Sequence, residues 1–410
     1  MSGGGHRRPR VLLASRIFTP EAAAASFRLR ALARGLLRAG AEVEVVTAQP
    51  PRGAVVEDDP GVTVRRWPVL RDASGYVRGY LPYLSYDVPL VLRLLVARRP
   101  DVVVVEPPPT TGAVVRAVTA VRSLRRRLPY VYYAADIWSD ATASTGAPRW
   151  VVAALRALEG FALRGARDVV AVSDGVAARA AALAGGRRVH VVPNGVDTET
   201  FSPFPAGAAD AAPPPGAEGP PFLLYAGTAS EWQGAEVFAE AMRLVVREEP
   251  TARLVFLGQG SSWPTLQRIA AELPAGAIEL RRLVPPAEAA RWHRAARAAL
   301  VSVRPGLGYD FAYPTKVLAA LACGTPVVFA GPGPAGPDIT RHRLGEAVPY
   351  DVGRVAAAML RALRAQPDPE AARRRAAWVR EHRSLQRTGD EVAAIVLAGV
   401  GSADPLRSQP

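Results

Sequence analysis

The chain is predicted to be an α/β protein of two doubly wound, Rossmann-like domains, and three observations carry the prediction. Short apolar runs rich in β-branched residues alternate with longer segments of helical period along most of the sequence. These runs are apolar on both faces, the pattern of parallel strands covered by helices on each side. Near the middle the alternation collapses into Pro, Ala and Gly, and at 410 residues the chain is longer than one hydrophobic core usually supports.

The first seven strands fall at 11–14, 43–47, 62–67, 102–105, 130–133, 169–172 and 189–192. Between the first two, a helix over 22–39 sets Leu29, Leu32 and Leu36 on one face and Arg28, Arg30, Arg34 and Arg38 on others. Gly40 supplies its C-terminal stop, which completes a βαβ unit. Pro203, Pro205, Pro213, Pro214, Pro215, Pro220 and Pro221 crowd the stretch 202–221, which neither a helix nor a central strand tolerates, so it reads as a linker. Strands resume at 222–226, 253–257, 278–280, 299–303 and 326–329, separated by helices over 235–247, 263–273 and 286–295. The division that follows is a disordered N-terminus over 1–9, a first domain over 10–201, the linker over 202–221, a second domain over 222–383, a helix over 384–398 and a tail over 399–410. Ligands of doubly wound sheets bind beyond the carboxyl ends of the strands, so two such domains facing across a cleft would hold a substrate between them.

Composition narrows the partners. A chain 49% hydrophobic and 21% charged is that of a globular protein. No run of about 18 apolar residues occurs and no apolar segment precedes the first strand, so a cytoplasmic protein is expected, with contact at the inner face of a membrane as the further option. One cysteine, Cys323, excludes an internal disulfide framework and a thiolate metal cluster. The net charge of +14 is spread along helix faces without a nucleic-acid-binding signature, so no nucleic-acid partner is expected; the excess suits anions such as a sugar diphosphate or an acidic membrane face. His6, His190, His293, His342 and His382 show no metal-ligand spacing.

The most informative segment is 310–326, DFAYPTKVLAALACGTP. A helix opening at Pro314, followed by Thr315 and Lys316, gathers unpaired backbone N–H groups, a hydroxyl and an ammonium at one positive end. That is an anion site suited to a diphosphate. Of the 51 basic residues Lys316 alone is a lysine, a compact charge on a flexible stem where every other position takes a planar guanidinium.

Other segments stand in a telling order: Phe18-Thr19-Pro20-Glu21 after the first strand, Glu106-Pro107-Pro108, Ala135-Asp136-Ile137-Trp138 with Asp140, Glu159 with Arg164, Val172-Ser173, and Pro193-Asn194-Gly195-Val196-Asp197. In the second half follow Tyr225-Ala226-Gly227, Gln233-Gly234, Leu257-Gly258-Gln259-Gly260 and Ala322-Cys323-Gly324. Over roughly 10–398 this series resembles glycosyltransferase family 4, the retaining enzymes of GT-B fold, and within it the cell-surface polysaccharide transferases that carry Pro-Ser/Thr-Lys.

The resemblance implies a hexosyltransferase that uses a nucleotide-sugar donor, retains configuration and needs neither metal nor cofactor. It implies a donor site on the second domain at Gly227, Thr228, Gln233, Gly258, Gly260, Tyr313, Pro314, Thr315 and Lys316, and an acceptor side on the first at Pro20, Glu21, Ser26, Glu106 and Trp138. Ser173 and Asn194 would face the cleft, Asp136 would act on the acceptor side, and the helix over 384–398 would cross back to the first domain. The acceptor it implies is a glycan, a lipid-linked molecule or a small molecule.

Several positions depart from the family. Phe311 and Ala319 stand where two glutamates are usual, with Asp310 beside the first as a stand-in; Thr228 and Gln233 replace the Arg and Lys that clasp the diphosphate, and Arg304 is a candidate to compensate. Ala25-Ser26 replaces a glycine pair, and the Asp136 segment stands where a histidine is customary. Two alternatives therefore accompany the main reading: tailoring of a secondary metabolite, and a catalytically silent GT-B scaffold.

Three further motifs have a double reading. Gly331 to Gly336 fits a dinucleotide-binding turn, but Pro332, Pro334 and Pro337 remove its donors, so it reads as a stiff loop. Asp136 and Asp140 are either a carboxylate pair or a helix-capping loop. Tyr76, Tyr80, Tyr83 and Tyr86, among Arg78, Leu81 and Leu84, form either a membrane-facing stretch or an amphipathic helix packed on its own domain.

Overall fold

The computed structural model describes residues 7–21, 23–51, 53–72, 77, 79–144, 147–204, 207 and 212–400. The chain divides into two compact units, Met1–Asn194 with Leu385–Pro410, and Gly195–Ser384.

In the first unit the order is β1 Arg10–Ala14, α1 Ala24–Arg38, β2 Glu42–Ala48, β3 Val62–Trp67, α2 Tyr80–Val96, β4 Val102–Val105, α3 Pro109–Ser123, β5 Tyr130–Ala134, α4 Trp138–Ser144, α5 Arg149–Gly165, β6 Asp168–Ala171, α6 Asp174–Ala184 and β7 Arg188–Val191. All seven strands are parallel in the order β3-β2-β1-β4-β5-β6-β7. Period-two alternation sends Leu12, Val103, Tyr132 and Val169 to the face covered by α2, α3, α5 and α6. Val11, Leu13, Val104, Val131 and Val170 go to the opposite face, under α1 and a helix that returns from the far end of the chain.

The second unit runs β8 Phe222–Thr228, α7 Glu236–Glu248, β9 Arg253–Gln259, α8 Trp263–Ala271, β10 Ile278–Arg281, α9 Pro286–Ala295, β11 Ala298–Ser302, α10 Thr315–Ala322, β12 Val327–Ala330, α11 Ala335–Arg341, β13 Gly345–Val348, α12 Val352–Arg364 and α13 Pro369–His382. Its six parallel strands repeat the first topology, β10-β9-β8-β11-β12-β13. The expected strands are all present, and β13, a half-exposed edge strand reading GEAV, adds one that no apolar run announced.

α14, Leu385–Leu397, belongs to the first unit and packs on α1. Small residues set that approach: a Cβ on Gly389 would lie 2.1 Å from the Ala31 carbonyl oxygen, and one on Gly35 2.5 Å from the oxygen of Gly389. Two segments differ from the sequence division. The chain passes between units at Asn194 and Gly195, and the described part of the proline-rich stretch belongs to the second unit. Arginines hold that stretch there through its own carbonyls: Arg253 donates to Gly216, Arg281 to Pro215 and Arg291 to Ala212, at 2.8, 2.9 and 2.9 Å. At the N-terminus Arg7 pairs with Asp101 rather than hanging loose, while residues 1–6 and 401–410 lie outside the described residues.

Candidate functional site

In each sheet the connections reverse direction between two adjacent strands, β1 and β4 in the first and β8 and β11 in the second. The crevice beyond the carboxyl ends of such strands is where a doubly wound sheet takes ligands. Of the sequence-selected residues, Gly227, Gly258 and Lys316 come together in the second unit, and Glu106 lies after β4 in the first.

In the second unit, Gly227 and Gly258 face each other in register at the ends of β8 and β9. A Cβ on Gly258 would sit 2.0 Å from the Gly227 oxygen, so the two backbones touch. Gly227 has a φ of 113°, and a Cβ there would lie 2.8 Å from Cε of Lys316; its missing side chain makes room for the lysine arm. Gly260 completes the turn against Ala229.

Lys316 is the second residue of α10, whose start at Pro314 has no side-chain cap. Its half-buried Nζ donates to the Tyr225 hydroxyl at 2.7 Å and to the Thr228 carbonyl, and lies 4.3 Å from the Tyr225 ring centroid. The phenol in turn donates to the same carbonyl at 2.9 Å. Both acceptors are neutral. Among the described residues no carboxylate pairs with this ammonium, and burial brings its pKa down to about 7. Burial raises the Tyr225 phenol.

The other donor-side residues divide. Thr315 is exposed and Pro314 buried at the same helix start. Tyr313 lies with its ring beneath the Arg383 guanidinium, 4.8 Å away, and that guanidinium bonds Asp338. Gln233 is buried, and its side-chain oxygen closes its own turn by accepting from the backbone and hydroxyl of Ser230, each at 3.0 Å. Its oxygen is thereby used within the loop. Asp310, the expected stand-in, accepts from Gly306 N at 3.2 Å within its own loop. Phe311 and Arg304 are exposed, and Ala319 packs against the core.

In the first unit, Ser15 and Glu106 follow the adjacent strands β1 and β4. Glu106 is buried and accepts from Arg28 Nη2 and, at 3.3 Å, from the Ser15 hydroxyl. Arg28, also buried, reaches Asn194 Oδ1 at 3.5 Å and stacks 5.1 Å over the Tyr133 ring. Burial lowers its pKa, against the opposing pull of Tyr133 and Asp136. The sequence reading set Arg28 apart from the face of Leu29, Leu32 and Leu36, yet it lies four residues before Leu32 and eight before Leu36 and is buried with them on α1; that spacing was the available signal. Ser26 is buried on the same helix with its hydroxyl unbonded to other described groups.

Asp136 follows β5 with its side chain exposed, yet the surrounding protein holds its carboxyl above the usual range despite the pull of Arg28. Asp140 is engaged by an arginine. Its two oxygens accept from Arg179 at 2.5 and 2.6 Å, which lowers its pKa. The cap of α4 comes instead from Glu159 on α5, which accepts from the backbones of Trp138 and Ser139 at 2.8 and 3.1 Å. The Trp138 ring meets Tyr83 edge-on and lies 5.4 Å from the Arg16 guanidinium. Glu21, beside Pro20, is bound to Arg71 at 2.7 Å. Ser173 is the N-cap of α6, accepting from Val176 N at 3.3 Å, a local role that also explains a serine there. Among the described residues no three His, Cys, Asp or Glu converge as a metal site.

With this geometry in view, the comparisons with known proteins are specific. Residues 24–195 match the Glycosyl transferase 4-like domain, and 220–365 match Glycosyl transferases group 1. The chain is 30% identical over 378 residues to the D-inositol 3-phosphate glycosyltransferase of Xylanimonas cellulosilytica, covering 80% of this chain and 82% of that one. Among solved structures it superposes on the sucrose-phosphate synthase of Thermosynechococcus elongatus with a TM-score of 0.64, 18% identity and 96% of each chain covered. The HepE protein of Anabaena, solved with UDP and glucose, gives 0.65 with 17% identity over 95% of this chain and 100% of that one.

Proposed function

This chain belongs to the glycosyltransferases of family 4 type, with their two-domain GT-B fold, and from that premise we propose that it transfers a hexose from a nucleoside diphosphate sugar, with retention, and falls in the Pro-Ser/Thr-Lys subgroup. One observation carries the donor assignment: a half-buried ammonium with only neutral partners, fitted over a glycine at the carboxyl end of β8 and beside an uncapped helix start. Breaking the anomeric bond puts negative charge on the departing diphosphate while the sugar carbon turns oxocarbenium-like. Lys316 and the first amides of α10 meet that charge without a metal, and the more the charge develops the stronger the contact becomes. The glycines at 227, 258 and 260 let backbone approach the donor, with Thr228, Gln233, Tyr313, Pro314 and Thr315 around them.

On the acceptor side the reading assigns Asp136, exposed just beyond the carboxyl end of β5, the catalytic contact with an acceptor hydroxyl. Pro20, Glu21, Ser26, Glu106, Trp138, Ser173 and Asn194 frame or position that side. D-inositol 3-phosphate is the first acceptor to assay, because the 30% identical relative carries that name. The scaffold reading draws on Phe311 and Ala319, where side-chain charge is missing.

Calorimetric titration with UDP-, GDP- and dTDP-sugars separates these readings. Saturable binding of one donor, unaffected by EDTA, together with a product that keeps that donor's anomeric configuration by NMR is the expected result. Binding of none of the three would leave the scaffold.

A further inference from the structure

α2 has two unlike faces. Tyr86, Leu90 and Leu94 are buried against the first sheet. Leu81, Leu84, Val88, Leu92, Leu95 and Val96 are exposed, Leu92 and Val96 by 65% and 72%, and at helical spacing they form one stripe opposite the buried trio. A surface helix ordinarily carries charge on such a stripe. Here every exposed residue described in α2 is Leu or Val. Beside it runs an open groove of 420 Å³ toward α3, lined by Leu84, Val88, Leu92 and Val114 among others.

The border of this surface is basic. Arg122 donates to the carbonyls of Leu94 and Ala97, and Arg99 to those of Arg122 and Arg126, so the C-terminal ends of α2 and α3 are tied together. Around that junction Arg98, Arg125, Arg126 and Arg127 are exposed, and Leu124 among them is 86% exposed. Between residues 80 and 127 the acidic residues are Asp87, Asp101 and Glu106. Asp87 and Glu106 are buried, and Asp101 bonds Arg7.

We propose that this face is a docking surface for an anionic lipid bilayer, with the α2 stripe seated at the boundary of headgroups and acyl chains and the arginines at the junction of α2 and α3 against lipid phosphates. Contiguous exposed apolar surface and adjoining positive charge are the two features that hold a helix in a membrane plane. α2 lies on the bilayer rather than through it: its 17 residues contain Pro89 and fall short of the roughly 20 that span. No helix among the described residues is long and apolar enough to cross. A second copy fits the face less well, because an isologous pairing would bring this basic border against itself with no exposed acid to answer it. The inference stands apart from the donor reading, since none of these residues belongs to it.

Flotation of the full chain with vesicles of phosphatidylcholine alone, or mixed equally with phosphatidylglycerol, tests it. Binding to the mixed vesicles that declines with added salt is expected, with little on the neutral ones. Val88→Glu with Leu92→Glu is expected to reduce binding at least about tenfold, and Arg125→Ser, Arg126→Ser and Arg127→Ser about fivefold each. Donor binding by calorimetry stays unchanged in all of them, which separates failure here from failure of the donor reading. Melting curves verify folding; should the glutamate pair unfold the protein, the serine series, on exposed side chains, decides. Absence of vesicle binding, equal binding to both lipids, or a dimer by light scattering that Leu92→Glu dissociates without any vesicle binding would overturn the proposal.

Discussion

In each unit of this glycosyltransferase a cation stands close to the carboxyl ends of the strands, Arg28 in the first and Lys316 in the second, and the two are treated in opposite ways. Arg28 meets a carboxylate, Glu106, and both side chains are almost wholly buried, 6% and 5% exposed. Among the described residues Lys316 meets a phenol oxygen and a backbone carbonyl, both neutral. A buried pair is electrically closed: its attraction roughly offsets desolvation, and it fixes the loops after β1 and β4 in place. A cation with neutral partners retains its field for an incoming anion, and its depressed pKa records what that costs in the free protein. The difference lies in the partners supplied by the fold rather than in the residues' charge.

Removing one partner of the closed pair should have the largest effect. Glu106→Gln or Arg28→Met is expected to cost about 3 to 5 kcal/mol of stability by urea denaturation, and the double substitution much less than the sum. Additive losses would mean that the pair is not coupled. Lys316→Ala should behave in the reverse way, weakening donor binding by about 1.5 to 3 kcal/mol in calorimetry while leaving the urea midpoint equal or higher. A fall in stability with unchanged donor affinity would make Lys316 a structural residue.

Titration sharpens the same contrast. The folded pKa of Lys316, about 7, lies below its ordinary value of 10.5, so the unfolded chain binds more protons between those limits. Stability should therefore rise with pH across that window, and Lys316→Met should remove the rise. Donor affinity should move the other way, falling as pH passes about 7, because the bound diphosphate requires the charged form. A flat binding profile from pH 6 to about 9 would contradict the assignment. The smallest effect belongs to Ser173→Ala, which removes an N-cap and should cost about 1 kcal/mol of stability without altering donor affinity.

The residues also show where sequence reading reaches and where it stops. The strands read from apolar runs stand within two residues of those runs, and in the inner strands burial on both faces leaves the mark in consecutive positions. β13 left no mark: at the sheet edge Gly345-Glu346-Ala347-Val348 needs no apolar run, and it is held by backbone pairing with β12. Gly227 and Lys316 were legible as members of a motif, while the fitting of one over the other was not. Glu159, Ser173 and Asp140 were legible as members of motifs, yet their partners are a helix start, a helix start and Arg179.

By itself the sequence determined the fold class, the repeated strand and helix order of the two halves, and the presence of a positive helix start near Lys316, all of which depend on residues close together along the chain. Tertiary structure alone decided that Arg28 closes on Glu106, 78 residues away, and that Lys316 rests on Tyr225, 91 residues away. Strand order sets such meetings: it carries β4 beside β1 and brings α10 to the ends of β8 and β9, and no local pattern encodes which side chain will then be within reach.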